Sequence, residues 1–167
     1  FQSVLVENAN WKLVMENGRE CYHCSTGHPE LSKTFPVGMS KHFDSGHDER
    51  VIAFEKAMDA HGLPQTPVEG HWWQVARFAL NECCVSISSD GQHLSKKLMR
   101  EANGGDIGSM RWAVDPHCFV HCTADHVFMF SAMPVGPEET HVTGKWYVLK
   151  DAVEGVDYDV EKLAALW

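Results

Sequence analysis

The pattern of apolar and polar positions divides the chain into a helical first third and a β-rich remainder. Asn10 is placed to cap a helix in which Trp11, Val14 and Met15 follow the i, i+3, i+4 spacing of one helical face, and this segment is expected to run on toward His23. Gly27 and Pro29 flank His28 and should break regular helix there, and residues 29–47, without sustained period, are expected as a loop. Residues 48–61 predict a second helix with Val51, Phe54 and Met58 on one side, closed by Gly62 and Pro64. From Trp72 the pattern turns β-like. Segments 72–80, 83–88, 109–114, 118–123, 126–133 and 141–149 are short, rich in β-branched and aromatic residues, and separated by turn residues such as Asp90-Gly91 and Gly104-Gly105. Segment 126–133 is apolar on both faces, which predicts a central strand covered by a helix on one side and lining a pocket on the other. Residues 157–167 return to helix, with Asp157 or Asp159 as cap and Val160, Leu163, Leu166 and Trp167 as its buried stripe. The predicted class is α+β, an antiparallel sheet with packed helices.

Composition narrows the function. With 167 residues, 44% hydrophobic, the chain has the size and apolar content of one globular domain. Phe1 is not Met and Trp167 stands inside a helical pattern, so a fragment of a longer protein is expected. No run approaches the roughly 20 apolar residues of a membrane span, and the first residues lack a signal-peptide layout. Acidic residues outnumber basic ones 23 to 14, which argues against nucleic-acid binding and tolerates a cationic ligand. Cys21, Cys24, Cys83, Cys84, Cys118 and Cys122 are expected as reduced thiols in a cytoplasm, since disulfide scaffolds belong mainly to much smaller secreted chains.

Eleven histidines invite a search for metal-binding spacing. His23 and His28 are five apart; in a continuous helix they would point about 140° away from each other, so only a broken helix brings both imidazoles to one ion. Gly27 and Pro29 supply the break, and a pair of histidines joined by a carboxylate is the iron site of non-haem oxygenases. Glu20, three before His23, shares its helical face and can accept a hydrogen bond from the His23 nitrogen turned away from a metal. For an arbitrary pair of histidines in such a segment, capping and packing a helix end is the better reading, and here the surrounding residues decide.

The run from Asn10 through Glu20, Cys21, Tyr22, His23 and Cys24 to His28, Pro29, Glu30 and Leu31 resembles the iron-binding segment of Rieske non-haem iron oxygenase α subunits. Trp72-Trp73, residues 128–134 and residues 150–159 are similar to the branch acting on quaternary ammonium compounds, the glycine betaine monooxygenase-like demethylases. The resemblance implies a helix-grip (Bet v 1/START-like) catalytic domain with His23 and His28 on a mononuclear Fe(II), and Glu20 relaying electrons from the Rieske [2Fe-2S] cluster of a neighbouring subunit. It further implies a homotrimer, a separate reductase supplying electrons from NAD(P)H, and O2-dependent N-demethylation of a small substrate such as glycine betaine, releasing formaldehyde. Residues 1–167 then form a partial catalytic domain. Cys21-x-His23 has no Cys-x-x-His partner at cluster spacing, so the Rieske domain is expected outside this chain; the third iron ligand, an aspartate in the family, is expected beyond Trp167. Asp157 and Asp159 are assigned to helix capping.

Three alternatives stand beside this assignment. An aromatic ring-hydroxylating dioxygenase of the same family would share the motif. A zinc-stabilised module would use His117, Cys118, His121 and Cys122, although on a strand the two cysteines share one face and the two histidines the other. A non-catalytic ligand-binding domain would account for the aromatic residues alone. Trp112, Phe119, Phe128, Phe130 and Trp146 are the sheet aromatics available for cation-π contact with a quaternary nitrogen, which offers no N–H donor.

Overall fold

The computed structural model describes residues 1–36, 49–63, 65 and 67–167, and of Cys21 the backbone alone. Residues 37–47 of the expected loop, Asp48 and the Pro64 helix stop lie outside the described residues. Among the described residues seven strands form one antiparallel sheet: β1 (Gln2–Glu7), β2 (Val68–Glu69), β3 (Trp73–Phe78), β4 (Ser109–Val114), β5 (Cys118–Cys122), β6 (Val127–Gly136) and β7 (Glu139–Tyr147), in the order β1-β7-β6-β5-β4-β3-β2. Among the described residues the helices are α1 (Trp11–Asn17), α2 (Cys24–Gly27), α3 (Pro29–Thr34), α4 (Glu49–Ala60) and α5 (Val160–Ala164), with 3-10 turns at Cys21–His23 and Ala102–Gly105. Among the described residues no helix is long and apolar enough to cross a membrane.

The α+β class is as the sequence predicts, with informative differences. Asn10 caps α1 by accepting from the Lys12 amide at 3.1 Å, but α1 stops at Asn17, where the Gly18 amide closes on the carbonyls of Val14 and Glu16. His23 therefore stands on a separate turn and Glu20 on no common helical face with it. Residues 29–34 form α3 instead of loop: Pro29 occupies the first helical turn, where its missing N–H costs nothing and its fixed φ favours helix, and Glu30 complements the positive helix end. Segment 83–88 is no strand. Cys83 sits at φ +64°, and Ser86 and Ser88 turn inward to bond Asp125 and Asp90 instead of entering a ladder. The sequence pattern did not single out β1 or β2; β1 pairs with β7 along its whole length, Gln2 opposite Lys145 to Glu7 opposite Thr140, while its apolar Val4, Leu5 and Val6 stay exposed.

Register decides which side chains meet. Gln74, Ala76 and Phe78 of β3 stand opposite Ala113, Arg111 and Ser109 of β4; Arg111 and Ala113 then pair with His121 and Phe119 of β5, and these with Phe128 and Phe130 of β6. All lie on one face, and both the helices and the cavity occupy that face: Leu163 of α5 is buried against Phe128 and Trp146, and Gly18 at the end of α1 lies over Phe119. The expectation of a helix on one side of β6 and a pocket on the other is corrected accordingly. Trp112, on the opposite face, is 43% exposed. A second cluster joins the fully buried Met58 of α4 to Ile107 and Ala124, under the ends of β4 and β5. Gly108 opens β4 with φ +62°, and a Cβ there would collide with the Phe78 carbonyl, so only glycine lets β4 approach β3 at this point.

Candidate functional site

His23 caps the N-terminus of α2, and His28 ends α2 and begins α3 with φ −135° and ψ 61°, so the helix break falls on His28 itself. Ser32 locks this corner by donating from Oγ to the carbonyls of Cys24 at 3.0 Å and His28 at 3.1 Å. Asn81 ties the corner to the sheet: its side-chain amide donates to the Ser32 and Lys33 carbonyls and its backbone N–H to the Thr34 carbonyl. Gly27 lies beside the His23 ring, whose Cδ2 is 3.5 Å from where a Cβ would stand, an ordinary contact distance.

The fold thereby brings the two imidazoles together edge to face, with ring centroids 5.2 Å apart at 71°. Two imidazoles bound to one ion through metal–nitrogen bonds of about 2 Å, at an angle of about 90° to 110°, place their centroids about 4.5 to 5.2 Å apart. The observed pair falls in that range, and no hydrogen bond among the described residues engages a ring nitrogen of either. That spacing would let both rings reach one ion. Among the described residues no group of three His, Cys, Asp or Glu side chains converges as a complete ligand set. Glu20 is exposed and no hydrogen bond among the described residues joins it to His23, so the expected tautomer-fixing contact is absent from this arrangement.

The histidines open onto a cavity of about 720 Å³. Its wall carries Phe35, Trp73, Phe78, Phe119, Phe128, Phe130 and Trp167, with Arg111 and His121 on the sheet. Phe119 stacks on Phe130 at 4.6 Å, and Trp167 lies against Phe128 at 4.0 Å. At the rim Arg19 pairs with Asp115, joining the segment after α1 to the β4–β5 turn. His121 is buried; loss of solvation and the nearby Arg111 charge push its imidazole down to about 3, so it is neutral. Of the five sheet aromatics expected, Phe119, Phe128 and Phe130 line the cavity, Trp146 is buried beside it, and Trp112 faces away. Arg111, His121, Trp73 and Trp167 were not expected there; two-residue alternation from Phe119 points to His121, but only the β4–β5 register adds Arg111. The proposed zinc set does not assemble: His121 faces the cavity, His117 packs against Trp11, and Cys118 and Cys122 lie on the other face.

Among the described residues, one antiparallel sheet with short helices over one face and a cavity between, onto which a pair of histidines opens, defines an α+β domain. Residues 2–167 match the ring hydroxylating alpha subunit (catalytic domain) family, and the chain belongs to that family. It is 43% identical over 170 residues to the glycine betaine monooxygenase oxygenase subunit of Pseudomonas aeruginosa, covering 99% of this chain and 40% of the relative. The subunit of the same name from Chromohalobacter salexigens is 36% identical over 181 residues, covering 99% of this chain and 38% of the relative. The chain thus spans about 40% of the length of these curated relatives. The crystal structure of the quaternary ammonium Rieske monooxygenase CntA in complex with an inhibitor shares the fold, with a TM-score of 0.55 at 15% identity over 92% of this chain and 30% of that one.

Proposed function

We propose that this chain is part of the catalytic domain of an oxygenase component that removes an N-methyl group oxidatively from a small quaternary ammonium compound such as glycine betaine. The observation that carries this reading is the His23–His28 pair opening onto an aromatic cavity. The names of the relatives supply the substrate class. His23 and His28 would hold a mononuclear Fe(II), with an aspartate outside this chain as third ligand; when bound, iron supplies activation of O2. The chain's own residues do the rest. The aromatic wall binds the methylammonium by cation-π attraction, worth about 0.5 to 2 kcal/mol per ring, keeps water from the reacting carbon, and orients one methyl group toward the histidines. Exposed Glu20 is assigned to electron relay from a [2Fe-2S] cluster on a neighbouring subunit of a trimer, with NAD(P)H and a separate reductase as the electron source.

His23→Ala and His28→Ala in the full-length protein should each lose mononuclear iron by metal analysis, more than about tenfold in affinity, because ligand loss exceeds the effect of outer-sphere changes. Circular dichroism should be unchanged, since His28 is exposed and removing an exposed side chain typically costs within about 0.5 kcal/mol. Iron kept at full occupancy in either variant would refute the ligand assignment. With reductase, wild type should release formaldehyde from glycine betaine; diol formation from an aromatic acid without any formaldehyde would favour the aromatic dioxygenase instead.

A further inference from the structure

Arg111 and His121 are directly opposite each other in the β4–β5 ladder, on the face that lines the cavity. Side chains so placed start about 4.5 to 5.5 Å apart at Cβ and can grip one group together. The guanidinium sits over the Phe119 ring, 6.0 Å from its centroid, and Phe119 is backed by Phe130. His121 is 8% exposed, and its Nδ1 is 3.1 Å from the Ser109 hydroxyl, which is fully buried. That hydroxyl has no other hydrogen bond among the described residues; in the tautomer in which it donates to Nδ1, the ring proton is on Nε2. Nε2 has no partner among the described residues, and the residue that carries it lines the cavity. The floor therefore presents one fixed cation and one neutral N–H donor, a set that recognises a carboxylate. It stands on β4 and β5, whereas His23 and His28 belong to the helical corner around α2, so the floor and the histidine pair are separate sets on different elements.

We infer that Arg111 and His121 bind the carboxylate of the substrate, making the cavity selective for zwitterionic betaines over ammonium compounds that lack a carboxylate. This rests on the reading under Proposed function and deepens it. A zwitterion held by its carboxylate on the buried floor extends its methylammonium end between the aromatic rings toward His23 and His28, which stand nearer solvent. Choline carries the same cation with a hydroxyl in place of the carboxylate and gains nothing from Arg111.

The test is equilibrium binding of glycine betaine and of choline to the iron-loaded full-length protein and its Arg111→Met and His121→Phe variants. Wild type should prefer glycine betaine. Arg111→Met should weaken glycine betaine about 10- to 100-fold and His121→Phe about 3- to 10-fold, the losses typical of charged and neutral hydrogen bonds, while choline binding is unchanged and reports an intact cavity. In turnover the Arg111→Met loss should appear mainly in KM. Equal loss for both ligands, no loss for either, or a wild type without preference would overturn the inference and leave the demethylase reading standing. A wild type that holds iron yet binds neither ligand would overturn both.

Discussion

Asp125 is fully buried, and each carboxylate oxygen is occupied: Oδ1 accepts from Ser86 at 2.7 Å and Thr123 at 2.8 Å, while Oδ2 accepts from the Leu94 amide at 2.7 Å and lies 3.1 Å from His126 Nδ1. Burial alone would raise this carboxyl, but His126 and the hydrogen bonds outweigh it and hold it well below the usual carboxylate range. Its folded pKa is depressed, so its stabilisation is complete above the unfolded value near 4 and is lost as pH falls further. His121 adds an earlier loss. An unfolded histidine takes up a proton below about 6.5 while the folded imidazole stays neutral down to about 3, so each pH unit in that window costs about 1.4 kcal/mol. Thermal melts of the full-length protein should therefore fall from pH 6.5 downward, and His121→Phe should flatten the curve between pH 6 and 4. An identical slope in the variant would remove His121 as its cause. Asp125→Asn should cost about 3 to 5 kcal/mol at pH 7, as breaking a buried charged network does. The Ser86 and Leu94 bonds to Asp125 were not legible in the sequence, because these residues are 39 and 31 positions from it.

At the scale of elements, α5 shows how packing completes what local signals begin. Asp159 caps it by accepting from the Lys162 amide at 3.0 Å, as the sequence allows, while Asp157 instead pairs with Lys97 at 3.1 Å. A helix of five residues has no stability of its own, and Leu163, 1% exposed against Phe128 and Trp146, holds it to the sheet. Leu163→Ala should destabilise the protein by about 2 to 5 kcal/mol, read from denaturant melts. It should also weaken glycine betaine binding, since Leu166 and Trp167 follow α5 into the cavity wall. Lost stability with unaltered affinity would mean that α5 does not shape the site. The strands from β3 to β7 were legible because their β-branched and aromatic runs are bounded by turns. Segment 83–88 carried the same composition and formed no strand: Ser86 bonds Asp125 across the fold, and Ser88 bonds the local turn at the Gln92 carbonyl.

For the whole molecule, Glu20 is exposed, and the relay proposed for it can be tested apart from the iron site. Glu20→Gln should keep iron and change stability by no more than about 0.5 kcal/mol, yet slow turnover by about tenfold or more if Glu20 relays electrons. Oxygen consumption at the wild-type rate would remove that role. The sequence by itself determined what lies within a few residues: the Asn10 and Asp159 caps, strands β3 to β7, and a histidine pair whose helix had to break, since these follow from spacing along one stretch of backbone. The tertiary structure decided what depends on partners far apart in the chain. Strand register turned Arg111 and His121 into one floor, the packing of Leu163 brought Trp167 against Phe128, and Asn81 fixed the corner that sets His23 and His28 5.2 Å apart. A strand's alternation names two possible faces, and only its pairing with neighbours selects the one that looks into the cavity.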